Sequence, residues 1–276
     1  MFVDLHMHTY FSDGTQSPEE VVTAAKANGL SVISVCDHNT VAAYARLIPA
    51  CAAEGIELVR GAEIDVYWKG DERLHLLAYN FDPANQGMGE LLNKSRAELD
   101  HISVDMIQAM EKDYPQILLS DFENYRYPLG RGGWKGVNYL YDRGLSESVA
   151  DAMKYYGQYS HYRPDFYAIE DACRVVRSAG GVPVLAHPGG NPGIQGHDLS
   201  SALEELKAAG IGGLECCYPR HDGLFTRLCS DFCRANELCI TCGGDSHGTF
   251  SDPIFGIGVM KVDSALLDLE GIYPGR

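Results

Sequence analysis

The sequence predicts an α/β fold in which strands and helices alternate around a barrel. Three observations carry this reading. Short β-branched runs alternate with helical patterns at both ends of the chain, histidines and acids recur where those runs end, and 276 residues with 45% hydrophobic content suffice for one large barrel with a proper core.

Residues 2–8 (FVDLHMH) open the chain as a strand in which Val3, Leu5 and Met7 alternate with Asp4, His6 and His8. Alternate side chains share a face, so both histidines point the same way. The apolar set is expected to pack outward against helices and the polar set to point inward. There it is costly unless bound to something, and a metal ion is the simplest partner. Asp13 follows in the turn before a helix whose start is written in Ser17-Pro18-Glu19-Glu20: an N-cap, a proline at the first helical position and a glutamate at N3. Gly29 ends that helix. Residues 30–35 form the next strand and lead into Asp37-His38, and residues 41–54 are helical up to Gly55. Strands follow at 56–60, before Gly61-Ala62-Glu63, and at 74–79, which holds His75.

The alternation resumes with a helix at 166–179 and a strand at 182–186 that leads into His187-Pro188-Gly189-Gly190. A helix at 199–209, a strand at 213–216, a helix at 224–236 and a strand at 238–241 come next, before Gly243-Gly244-Asp245-Ser246-His247. Such units imply a parallel sheet, and about seven of them imply a barrel, whose C-terminal strand ends are where chemistry sits. Residues 1–80 and 166–276 are therefore assigned to the barrel. The stretch 81–165 is helical and rich in tyrosine (Tyr125, Tyr127, Tyr139, Tyr141, Tyr155, Tyr156, Tyr159) and reads as an insertion that covers the barrel mouth.

A net charge of −16 disfavours a surface built for long duplex nucleic acid but leaves room for a nucleotide. No run approaches the roughly 20 apolar residues of a membrane span. The N-terminal MFVDLHMHTY has neither the basic nor the apolar region of a secretory signal, so a cytoplasmic location without membrane contact is expected. Nine cysteines, six of them between Cys216 and Cys242, are expected as buried thiols acting as small hydrophobes, with a structural metal at Cys239-x-x-Cys242 as the competing reading. Oligomeric state is not set by the sequence.

One strand histidine alone is usually a hydrogen-bonded core residue. Four strand ends that carry histidine or histidine with an acid, opened by His6-x-His8, are a metal site. His6-x-His8 with Asp13-Gly14, Asp37-His38, Glu63, His75, His187-Pro188 and Asp245-x-His247 resemble the PHP family, named for polymerase and histidinol phosphatase, and look most like its branch of small stand-alone nucleotide phosphoesterases (TrpH-like). The Gly130-Arg131 pair in the insertion is similar to that branch as well.

The resemblance implies a distorted seven-stranded (β/α) barrel with two or three divalent ions. By position, His6, His8, Glu63 and Asp245 would hold one; Glu63, His75 and His187 a second; Asp13, His38 and His247 a third. Mixed nitrogen and oxygen donors suit Mn, Fe or Zn. The implied reaction is hydrolysis of a nucleotide phosphate by a metal-bridging hydroxide. The substrate would be a mononucleotide, a nucleoside 3′,5′-bisphosphate or a short oligoribonucleotide, with histidinol phosphate or another small phosphorylated metabolite as the alternative. Arg131, Lys135, Arg220 and His221 are the expected phosphate contacts; Arg131 is favoured for its planar fork, and His221 is a candidate to protonate the leaving oxygen. Asp37 and Asp4 are expected to orient ligands rather than to ligate.

Overall fold

A computed structural model describes residues 1–273. In chain order its elements are β1 (Phe2–Asp4), α1 (Pro18–Ala27), β2 (Val32–Val35), α2 (Tyr44–Glu54), β3 (Glu57–Trp68), β4 (Glu72–Tyr79), α3 (Gln86–Met110), α4 (Leu119–Asn124), α5 (Lys135–Asp142), α6 (Lys154–Tyr159), β5 (Tyr167–Ala168), α7 (Ile169–Ser178), β6 (Val182–Leu185), α8 (Pro192–Gln195), α9 (Leu199–Ala208), β7 (Gly213–Cys217), α10 (Gly223–Ala235), β8 (Cys239–Cys242) and β9 (Val262–Asp263). The α1 cap forms as its sequence dictates: Ser17 Oγ accepts the Glu20 N–H, and the Glu20 carboxylate accepts the Ser17 N–H.

The strands form one sheet in the order β8-β7-β6-β4-β3-β2-β1-β9, with the two-residue β5 paired to β3. The path holds eight strands, one more than the expected seven because β9 adds beside β1, and the sheet nearly closes into a barrel. Its seam lies between β1 and β8. Near the mouth, Leu5 N–H donates to Cys242 C=O at 3.0 Å, Asp245 N–H to His6 C=O at 2.7 Å and His8 N–H to Ser246 C=O at 2.8 Å. At the opposite end β9 pairs antiparallel with β1, and Asp268 pairs with Ile240 of β8. The opening strand is regular only over Phe2–Asp4, short of the expected 2–8: beyond it Met7 forms just an isolated parallel bridge, to Ser246, as residues 5–8 cross to the end of β8.

The expected all-parallel sheet needs one correction. β3 runs on through Trp68, turns at Lys69-Gly70 and returns as β4, which is antiparallel to both β3 and β6. A hairpin needs only a tight turn where a parallel return needs a crossover helix. It also places Asp65 directly opposite His75.

Apolar burial divides into three clusters. The largest fills the barrel and its contacts with α3, α7, α9 and α10. A second joins Met7, Ile33 and Val35 to Val21, Val22 and Leu47 of α1 and α2. The third belongs to residues 106–155 and includes Met106, Ile107, Val137, Tyr139, Leu140 and Ala152. All nine cysteines are free thiols; Cys216, Cys229, Cys233, Cys239 and Cys242 are buried, and Cys216 Sγ lies 3.9 Å from Cys233 Sγ. Among the described residues no helix is long and apolar enough to cross a membrane.

Candidate metal centre

Strand ends from around the barrel converge on Glu63. His6, His8 and His38 each bring Nε2 to within 3.2–3.3 Å of its Oε2. His75 Nδ1 and His187 Nε2 lie 2.9 and 3.1 Å from its Oε1. Asp245 Oδ1 sits 3.2 Å from His8 Nε2, and Asp13 Oδ1 sits 3.4 Å from His247 Nε2. All nine sequence-selected ligands therefore meet in one cluster; five of them (His6, His8, Asp13, His38 and Glu63) are buried, and His187, His247 and Asp245 are nearly so.

Among the described residues, donor atoms close enough to share an ion fall into three groups: His6, His8, Glu63 and Asp245; His8, Asp13, His38 and His247; and His38, Glu63 and His75. The first is the expected set. In the others the grouping differs, because His8 also lies with the Asp13 set and His38 stands where His187 was expected. The cause is the central position of His8 and His38, whose rings pack 4.8 Å apart between the two ends of the cluster.

The electrostatics suit cations. Burial would raise Glu63, but His38, His75 and His6 outweigh it and hold the carboxyl well below its ordinary range. Asp13 and Asp245 are likewise held low, against burial, by His247 and His6 respectively. His8 and His75 are driven to about 10 by neighbouring acids despite burial. Burial, helped by the neighbouring His8 and His75, lowers His38 to about 4 despite Glu63 and Asp13. His38 Nδ1 and Asp13 Oδ1 are buried without any hydrogen-bond partner. Stranded donors of this kind, among mixed nitrogen and oxygen groups, fit a divalent metal.

Surrounding groups fix which nitrogen each ring presents. Glu215 Oε1 lies 3.0 Å from His6 Nδ1, and Asp65 Oδ1 lies 3.3 Å from His75 Nε2. His247 Nδ1 lies 2.9 Å from the Asp245 carbonyl. In each case the outer partner favours a proton on the outer nitrogen, which leaves the inner nitrogen available to an ion when one is bound. Sequence reasoning passed over Glu215 and Asp65; the signal for Glu215 was the one acid inside the apolar strand β7, and for Asp65 its place two residues after Glu63 on the same face of β3. Asp37 and Asp4 do act as supports. Asp37 accepts from Thr9 N–H (2.8 Å), Thr9 Oγ1 (2.7 Å) and Ser12 Oγ (2.7 Å), which pins the loop that carries Asp13. Asp4 accepts from Gly244 and Gly258 N–H at 3.0 and 2.9 Å.

The backbone is strained at the same place. His187 (φ 30°), Asp245 (φ 51°) and Asn39 (φ 53°) adopt left-handed conformations that non-glycine residues disfavour. Gly243 is required by close approach, since a Cβ there would lie 2.2 Å from His6 Cβ.

Beside the cluster lies a cavity of about 460 Å³, lined on one side by Asp13, His38, His75 and His187 and on the other by Leu99, Ile102, Trp134, Met153 and Tyr156, with Arg73 at its edge. The Trp134 ring is 5.5 Å from that of His38 and lies under the Arg96 guanidinium. The loop before it is clasped to the metal-side turn: Gly133 N–H donates to Asp13 C=O at 2.8 Å, and Gly132 and Gly133, both at positive φ, press on Phe250 where a Cβ would clash.

The expected phosphate contacts are placed differently. Arg131 pairs with Asp142 at 2.7 Å, and its guanidinium lies over Tyr141. Lys135 Nζ donates to Glu123 C=O and lies over Phe122. Arg220 lies over Phe255. None of the three lines the cavity. His221 Nε2 accepts the Gly189 N–H at 2.9 Å, so the ring proton sits on Nδ1, 3.0 Å from Cys216 C=O. With both nitrogens committed and burial lowering its pKa, His221 in this arrangement props the loop after His187 and has no proton to hand to a leaving oxygen.

Residues 4–126 match the PHP domain family. A 5′-3′ exoribonuclease from Haemophilus influenzae is 31% identical over 221 residues, 77% of this chain and 77% of that protein. A phosphoribosyl 1,2-cyclic phosphate 1,2-diphosphodiesterase from Eggerthella lenta is 28% identical over 270 residues, covering 91% of this chain and 95% of the other. The fold is similar, with a TM-score of 0.81 and 27% identity, to a crystal structure from Bifidobacterium adolescentis described as a metal-dependent phosphoesterase, over 96% of this chain and 93% of that one.

Proposed function

The chain belongs to the PHP family, and from that premise we propose that it is a metal-dependent phosphoesterase that hydrolyses a phosphate ester of a nucleotide. The observation that carries the reading is Glu63, whose two oxygens are faced by five imidazoles at the edge of a nucleotide-sized cavity. The exoribonuclease and the cyclic-phosphate diesterase among its relatives both act on phosphate esters of ribose, which supports the substrate class.

In this reading the nine residues His6, His8, Asp13, His38, Glu63, His75, His187, Asp245 and His247 hold two or three divalent ions, with Mn, Fe or Zn suited to the mixed donors. When bound, such ions grip phosphoryl oxygens and lower the pKa of water so that a nucleophile is available near neutral pH. The chain's own part is orientation. Glu215 and Asp65 hold His6 and His75 in one tautomer, and Asp37 fixes the Asp13 turn. Trp134 offers a flat face for a base beside His38. Residues 81–165 act as a lid: their apolar side chains wall the cavity, limiting it to one nucleotide or a strand end and excluding a long duplex.

The test is a panel assay of purified, Mn-loaded protein against nucleotides, sugar phosphates and histidinol phosphate. Release of phosphate or nucleoside from a nucleotide is expected. Turnover confined to non-nucleotide phosphates would overturn the reading.

A further inference from the structure

Tyr218, the residue after β7, lies buried beside the metal cluster without being one of its ligands. Its hydroxyl donates to Asp245 Oδ2 at 3.2 Å. The ring that delivers this hydroxyl is packed on several sides. The rings of His187, His221 and Phe255 lie 5.3, 5.2 and 5.8 Å from it, centre to centre, and a Cβ at Gly190 would stand only 3.2 Å from Tyr218 Cε1. Asp245 is fixed through its backbone as well: its N–H donates to His6 C=O at 2.7 Å, and its φ of 51° is left-handed. Together these constraints turn one carboxylate oxygen inward and the other away. Oδ1 faces the imidazoles, 3.2 Å from His8 Nε2 and 3.5 Å from His6 Nε2, whereas Oδ2 meets the phenol.

A phenol keeps its proton at neutral pH and donates it. A carboxylate can give a cation one oxygen or both, and an oxygen engaged by a hydroxyl is the less available of the two. Asp245 therefore offers an ion Oδ1 alone. Metal sites that carry out chemistry keep a position for water or substrate, and a second carboxylate oxygen on the same ion would occupy it. Resting on the metal-dependent phosphoesterase reading above, we infer that Tyr218 is a positioning residue: it holds Asp245 to one oxygen and thereby leaves a place on the ion for a phosphoryl oxygen.

Y218F keeps the ring and removes the hydroxyl. The experiment compares it with the wild type in two affinities: that for Mn, by competition against a chelator, and that of the Mn-loaded protein for inorganic phosphate, by calorimetry. Melting temperature checks that both proteins are folded. Y218F is expected to bind Mn at least as tightly as the wild type, because the freed Oδ2 can join Oδ1 on the ion. It should nevertheless bind phosphate about 10- to 100-fold more weakly, the usual scale for losing an outer partner. A fall in Mn affinity in step with the phosphate loss would show that the hydroxyl only supports Asp245, and would overturn the inference. Unchanged phosphate affinity would overturn it too. A wild type that binds Mn but no phosphate would instead remove the phosphoesterase reading, and the inference with it.

Discussion

Glu215 Oε1 lies 3.0 Å from His6 Nδ1, and both side chains are fully buried. The second oxygen of Glu215 accepts the His187 N–H at 2.7 Å, so one carboxylate steadies two strand ends that meet at Glu63. Gln in its place keeps the shape but cannot accept from both donors without placing its amide against one of them. His6 would then tend to move its proton to the inner nitrogen, which removes the lone pair facing the cluster. E215Q is therefore expected to lower metal affinity about 10- to 100-fold, the usual cost of losing such an outer partner, with little change in helix content. Competition against a chelator of known affinity measures it, and unchanged affinity would refute the role assigned to Glu215.

Glu63 and Asp245 should differ in what they release. Glu63 touches five imidazoles through two oxygens, whereas Asp245 faces His6, His8 and His247 through Oδ1 alone. E63Q is expected to lose more metal per chain than D245N, by elemental analysis after gel filtration, and to lose activity completely. Equal stoichiometry in the two variants would mean that Glu63 does not join the groups.

His221 should not behave as a general acid. A residue that protonates the leaving oxygen contributes about 10²–10⁴-fold, and its loss reshapes the basic side of the rate profile. Since Nε2 accepts the Gly189 N–H and Nδ1 faces the Cys216 carbonyl, H221N is expected to lower kcat by less than about tenfold and to leave the pH profile in place. A large fall in kcat with the basic limb removed would restore His221 to the chemistry.

Much of the centre was legible because strand alternation is a strong signal: His6-x-His8 on one face needed no tertiary information. Where local pattern does not fix direction, the sequence said less. Arg131 beside Gly130 looked like a phosphate contact, but its charge is met by Asp142 on the next helix, a pairing set by the packing of α5. Glu215 was passed over because a single acid in an apolar strand declares no partner until the strand opposite is known, and Asp65 because the expected strand stopped at residue 60. The β3–β4 hairpin supplies that partner for Asp65, and its Lys69-Gly70 turn was not read as one.

Metal removal should destabilise the protein, and more so as pH rises. An ion that binds only the folded state at 100 times its Kd adds about 2.7 kcal/mol, and at about 2–4 °C per kcal/mol for a chain of roughly this size a chelator should lower Tm by about 5–10 °C per tightly held ion. Without metal, protons supply the positive charge around Glu63, Asp13 and Asp245. His8 is raised from an ordinary 6.5 to about 10 by Asp245, Glu63 and Asp13, and His75 likewise by Glu63 and Asp65, so the folded state binds protons that the unfolded chain releases. Their contribution is complete below about pH 6.5 and is lost as pH climbs toward 10. Bound ions displace these protons, so the loaded protein should lack this loss. The gap in Tm between Mn-loaded and chelator-treated protein is therefore expected to widen from pH 6.5 to pH 9. A gap that stays constant or narrows across that interval, measured by calorimetry in matched buffers, would mean that these histidines do not exchange protons for metal.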